Sequence, residues 1–146
     1  MVGEVAENFS LKDQNGKTFN LYENLDENIL LVFYPKDDSP VCTRQLSNYQ
    51  KEHQLLKKSG IKVVGININS EKSHKNFCKK LSLEFPLLAD KTKSVSKQFN
   101  ALNIFGINKR KLVLINRNKT IEFEKTVLPN RYVSAVQILK LAKQLI

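Results

Sequence analysis

The chain has 146 residues, 41% of them hydrophobic, which suits one folded domain with a sizeable core and argues against disorder. Lys and Arg number 24 against 14 Asp and Glu, a net charge of +10. The lysines are spread along the chain and the densest cluster, Lys109-Arg110-Lys111, has no interleaved aromatics, so the charge reads as a solvated surface and specific nucleic-acid binding is not expected.

Phe9-Ser-Leu11 and Thr18-Phe19-Asn-Leu21 flank the turn-like Asp13-Gln-Asn-Gly16 and predict a β-hairpin. Ile29 to Tyr34 is an unbroken apolar run, as in a buried strand. Residues 41–58 predict one helix. Leu46, Tyr49, His53 and Leu56 recur there at helical steps, and Gly60 ends it. Ile61 to Ile66 is a second strand. Ser70 to Leu83 predicts a helix with Ser70 as N-cap. Pro86-Leu-Leu88 is short and extended. Val95, Phe99 and Leu102 mark another helix face. Leu112 to Ile115 is a third central strand, and Asn116 to Lys119 a turn. Ile121, Phe123 and Val127 are expected on one face of a returning strand. The last helix is expected from about Asn130, with Val133, Val136, Leu139 and Leu145 in the core.

Alternating strands and helices imply an α/β layer with helices on both faces. A βαβ half followed by ββα, behind an N-terminal hairpin extension, is the thioredoxin-like arrangement around a mixed central sheet. Without repeats or linkers, residues 1–146 read as a single domain. No apolar run approaches the ~18 residues of a membrane span. The start, MVGEVAENFS, lacks the features of a secretory signal, so the cytosol is the expected compartment. Two cysteines are too few for a disulfide framework.

The chemistry concentrates at FYPKDDSPVCTRQ, residues 33–45. Ser39 suits an N-cap and Pro40 the first helical position, which puts Cys42 in the first turn. Free backbone N–H groups and the helix dipole favour a thiolate there. Cys42 also lies four residues before Leu46, on the inward stripe. On these grounds it is either a nucleophile or a packing cysteine. On a continuous helix, His53 lies roughly 16 Å from Cys42, out of reach as a base. His74 reads as a half-exposed surface residue. Cys42, Cys78 and His74 are too scattered for a zinc site, and no metal is expected. A mechanism using cysteine alone fits better. A thiolate attacks a peroxide O–O bond and becomes a sulfenic acid, with hydrogen-bond donors holding the peroxide.

YPKDDSPVCT, residues 34–43, resembles the peroxiredoxin motif Pro-x-x-x-Thr/Ser-x-x-Cys, with Pro35, Ser39 and Cys42 in its fixed positions. The FYPKDD lead-in resembles the bacterioferritin comigratory protein, or peroxiredoxin Q, branch. NFSLKDQNGKTFNL, VVGININSEKSHKNFCKKLSLEFPLLAD and LVLINRNKTI extend the likeness over essentially the whole chain. The resemblance implies a peroxidatic Cys42, a Ser39 hydroxyl on the peroxide and a Pro35 that shields the site. It further implies that Arg110 stabilises thiolate and peroxide and that Gln45 takes the position of a family Glu or Gln. Ser39 replaces the commoner Thr, Val41 stands where the branch usually has Gly, and Ser47 occupies the usual place of a resolving cysteine. Some members place that cysteine where Cys78 lies. Cys78 is then either the resolving residue or a buried helix cysteine in a one-cysteine enzyme. Folded helices would hold the two too far apart for the ~7 Å Cα limit of a disulfide, so local unwinding is expected.

The expected function is a peroxidase for hydrogen peroxide or organic hydroperoxides, recycled by thioredoxin or a similar dithiol, without a cofactor and as a monomer. A redox sensor or chaperone using the same switch, and a basic nucleic-acid-binding module, are the competing classes.

Overall fold

A computed structural model describes residues 1–145. Its strands are β1 (Ser10–Lys12), β2 (Thr18–Asn20), β3 (Asn28–Phe33), β4 (Ile61–Asn67), β5 (Leu87–Ala89), β6 (Arg110–Ile115) and β7 (Ile121–Val127). Its helices are α1 (Pro40–Lys51), α2 (His53–Lys58), α3 (Glu71–Leu81), α4 (Ser94–Gln98) and α5 (Ala135–Leu145). One mixed sheet runs β2-β1-β5-β4-β3-β6-β7. β3, β4 and β5 are parallel, and β6 and β7 return antiparallel. This is the expected thioredoxin-like order, βαβ then ββα, and the short 86–88 segment becomes β5, which ties the N-terminal hairpin to the sheet.

Strand alternation divides the core in two. Leu30, Val32 and Tyr34 of β3 and its exit join Leu112 and Leu114 of β6 under α1, α2, α3 and α5. Ile29, Leu31, Phe33, Val113 and Ile115 face the other way, onto Phe9, Leu21, Val95 and Phe99. Among the described residues no helix is long and apolar enough to cross a membrane.

The structure corrects several boundaries. The 41–58 helix is two helices, parted at Glu52, whose dihedrals (φ −99°, ψ 17°) leave the helical region. Ile121 and Phe123 face opposite cores. Leu114 pairs with Phe123 and Ile115 with Ile121, so Glu122 is an extra, bulged residue that flips the parity of the strand. α4 ends with Asn100 in the left-handed region (φ 51°), which leaves Leu102 outside it. The last helix starts at Ala135 rather than Asn130. Ser134 and Gln137 form a reciprocal capping box: Gln137 N–H donates to Ser134 Oγ (3.3 Å) and Ser134 N–H to Gln137 Oε1 (2.9 Å). That start turns Val136 outward and puts Ala135, Ile138, Leu139 and Ala142 in the core. The side chain of Leu145 lies outside the described residues.

Candidate active site

The site lies where β3 ends and β6 begins. Phe33 pairs with Lys111, so Arg110 enters the sheet beside the strand exit that leads to Cys42. Arg110 shares the parity of Leu112 and Leu114, the residues of β6 that face α1. Its guanidinium is thereby aimed at the helix that carries Cys42.

Asp38 adopts a left-handed φ of 65° and turns the chain into Ser39, whose extended backbone opens α1. Pro40 takes the first helical position, and the first intrahelical bond runs from Thr43 N–H to the Ser39 carbonyl (2.8 Å). Val41 and Cys42 therefore lie in the turn whose N–H groups have no intrahelical acceptor. Ser39 is the N-cap by position but makes no side-chain capping bond. Its hydroxyl instead donates to the Lys36 carbonyl (3.2 Å).

Cys42 is fully buried. Arg110 Nη1 donates to its Sγ (3.3 Å) and to Gln45 Oε1 (2.6 Å), and Nη2 donates to the Pro129 carbonyl (2.9 Å). Gln45, one turn after Cys42, donates through Nε2 to Tyr49 Oη (3.0 Å), which donates to the Val133 carbonyl (2.7 Å). Burial drives the Tyr49 hydroxyl well above its ordinary pKa, so it stays protonated as the donor this chain needs. Arg110 is only 2% exposed, and its Nε–H has no acceptor among the described residues. A buried cation with a spare donor beside a sulfur complements negative charge on that sulfur and on an oxygen brought up to it.

Of the predicted site residues, Cys42, Gln45 and Arg110 thus form one hydrogen-bonded group. Ser39 and the half-buried Pro35 frame the loop that leads into it. Cys78 lies in the same apolar cluster as Cys42, Tyr34 and Phe77, and both sulfurs are free thiols. Burial first, then the charges of Asp37 and Asp13, push the Cys78 thiol up to about 12. Among the described residues no three His, Cys, Asp or Glu side chains come together as a metal site.

His74 is a correction: it is wholly buried, not half-exposed. Its Nδ1 meets Asp37 Oδ2 at 2.7 Å and its Nε2 the Leu88 carbonyl at 2.9 Å, which satisfies both ring nitrogens away from water. The signal was in the sequence, since His74, Phe77, Cys78 and Leu81 follow one helical stripe. His53 stands at the other end of the sheet, against Phe85 and Glu84. Tyr49 and the carbonyls of Pro129 and Val133 were also missed; backbone acceptors carry no sequence signature.

Residues 2–124 match the AhpC/TSA family. The chain is 40% identical over 105 residues to the chloroplastic peroxiredoxin Q of Triticum aestivum, covering 71% of this chain and 48% of that protein. It is 36% identical over 108 residues to the putative peroxiredoxin bcp of Coxiella burnetii, covering 72% of each. The chain spans about half the length of the plant relatives it matches first. The structure of a PrxQ C47S mutant from Xylella fastidiosa superposes with a TM-score of 0.86 at 22% identity, covering 99% of this chain and 94% of that one. Peroxidoxin BcpB from Mycobacterium tuberculosis gives 0.85 at 21%, covering 99% and 95%. These structures share the fold. Matched along most of its length, the chain belongs to the AhpC/TSA family, with its relatives on the peroxiredoxin Q and bcp branch.

Proposed function

We propose that this protein is a thiol peroxidase that reduces hydrogen peroxide and organic hydroperoxides through Cys42. The observation that carries the proposal is the buried Arg110 guanidinium donating to Cys42 Sγ at 3.3 Å while Gln45 and the Pro129 carbonyl hold it in place. The sulfur attacks one peroxide oxygen as the thiolate. The O–O bond breaks, the second oxygen leaves with a proton as water or an alcohol, and Cys42 becomes a sulfenic acid. Charge grows on the departing oxygen, and the donors suited to it are Arg110 and the N–H groups of the first turn. The Ser39 hydroxyl keeps lone pairs that can accept the peroxide O–H. Pro35 shields the loop from water.

Cys78 then condenses with the sulfenic acid, and thioredoxin or a similar dithiol reduces the resulting disulfide. Action as a cytosolic monomer belongs to the same proposal.

Peroxide consumption with a thioredoxin system tests it. Cys42→Ser is expected to fall to background. Arg110→Gln is expected to lose on the order of 100-fold in kcat/KM, the cost of removing one donor from such a site. Undiminished turnover in Cys42→Ser would reject the mechanism. Cys78→Ser is expected to form the sulfenic acid normally and to stall with thioredoxin. Normal turnover there would make this a one-cysteine enzyme.

A further inference from the structure

Asp37 is a buried charge that the reaction above does not use. It is 6% exposed and sits in the loop that enters α1. Tyr34 Oη (2.6 Å) and Asn67 Nδ2 (3.2 Å) donate to its Oδ1, and Ser73 Oγ donates to its Oδ2 (2.7 Å), which also meets His74 Nδ1 (2.7 Å). Ser73 and His74 belong to the start of α3, and Cys78 follows His74 one turn later on the same face. Both ring nitrogens of His74 face oxygens, Nε2 the Leu88 carbonyl and Nδ1 a carboxylate that already accepts three donors. The loop is thus bound to α3 by the buried contacts of Asp37 with Ser73 and His74. Outside it Lys80 pairs with Asp38, across a cleft of about 240 Å³ that Asn76 and Phe77 also line.

We infer that the Asp37–Ser73–His74 clasp is a positioning device: it keeps α3 docked while Cys42 meets peroxide, and its release sets the rate at which Cys78 closes on the Cys42 sulfenic acid. The inference rests on the reading of Cys78 as the resolving residue. In that step Cys78 Sγ bonds to Cys42 Sγ, the S–O bond breaks, and the hydroxyl leaves with the Cys78 proton as water. A thiol attacks as its thiolate. Docked, Cys78 is buried and its thiol is held protonated, in part by the charge of Asp37 itself. Undocking removes both restraints. The clasp and the group around Cys42 have no hydrogen bond in common, so the clasp acts on resolution and not on the attack on peroxide.

The test is a single-turnover time course on the full chain with hydrogen peroxide, quenched with a thiol trap and read by intact mass as sulfenic acid, disulfide and sulfinic acid. Asp37→Asn keeps the shape and removes the charge. Ser73→Ala removes one donor at a half-buried position and leaves the Asp37–His74 contact intact. Sulfenic acid formation is expected to stay within about twofold of native in both. Disulfide formation is expected to rise about tenfold in Asp37→Asn and about threefold in Ser73→Ala, with less sulfinic acid under excess peroxide. A merely structural role would slow sulfenic acid formation and disulfide formation together. Disulfide formation at or below the native rate in Ser73→Ala, or in folded Asp37→Asn, overturns the clasp and leaves Cys78 as the resolving residue. Native protein that accumulates sulfenic acid without a Cys42–Cys78 disulfide overturns the reading of Cys78, and the clasp with it.

Discussion

At the scale of single residues, two buried charges dominate, and each is tied to its surroundings by named hydrogen bonds. Arg110 is held by a side chain and a carbonyl while it serves the sulfur of Cys42. Asp37 is saturated by four side chains. Burial alone would raise the Asp37 carboxyl. The hydrogen bond and charge of His74, with the hydroxyls of Tyr34 and Ser73, outweigh it and hold the carboxyl below its ordinary value. A carboxyl depressed by folding adds stability above its unfolded pKa of about 3.9, and that stability is lost as pH falls through the folded value. The urea midpoint of Asp37→Asn is therefore expected to lie below native at neutral pH, with the gap narrowing as pH falls toward about 3. A gap independent of pH would show that shape, not charge, is what the substitution disturbs. The charge of Asp37 was invisible in the sequence for a plain reason. Asp37 and Asp38 are adjacent and chemically alike, yet one is buried and the other exposed. The left-handed turn at Asp38, not the residue type, separates them.

At the scale of elements, the Leu87 side chain of β5 fills the space over Gly65 of β4. A Cβ built on Gly65 of β4 would stand 2.5 Å from Leu87 Cδ2 and 3.3 Å from Tyr34 Cε1. Tyr34 is the donor to Asp37, so crowding here reaches the clasp as well as the core. Gly65→Ala is expected to cost about 1–3 kcal/mol by overpacking, read as a lower denaturant midpoint with an unchanged m-value. The strand that carries Gly65 was legible in the sequence, since Ile61 to Ile66 is apolar but for Lys62. What was not legible is the company it keeps: Pro86 to Leu88 read as short and extended, but nothing in the sequence paired it with β4. The same holds for the start of α5. The Ser134–Gln137 box moves that start past Val133 and leaves residues 128–133 outside the helix, in a turn at Pro129–Asn130 and the segment after it, which frees the carbonyls of Pro129 and Val133 to hold Arg110 and Tyr49. A helix begun at Asn130 would have turned the Val133 carbonyl into its own ladder.

At the scale of the whole molecule, the sheet joins the hairpin, the βαβ unit and the ββα unit into one frame, and the two cysteines sit in helices on a single face of it. Oxidation is expected to act on those helices and not on the frame. In hydrogen exchange, a Cys42–Cys78 disulfide should lower protection in the first turns of α1 and in α3, while β3, β4 and β6 keep theirs. Equal protection of both helices in the two redox states would show that they need not unwind. The sequence by itself determined the class of fold, the course of the central strands and the place of Cys42 at the start of an inward-facing helix. These are properties of local pattern: a period of two, a helical stripe, and a Ser-Pro start that puts a cysteine in a first turn. Only the tertiary structure decided what surrounds that cysteine. Arg110 reaches Cys42 across 68 residues, Tyr49 reaches Val133 across 84, and His74 reaches Asp37 across 37. No local pattern encodes such pairs. They exist because burial leaves each polar group no water to turn to, and the partner it finds is whichever one the folded sheet has carried beside it.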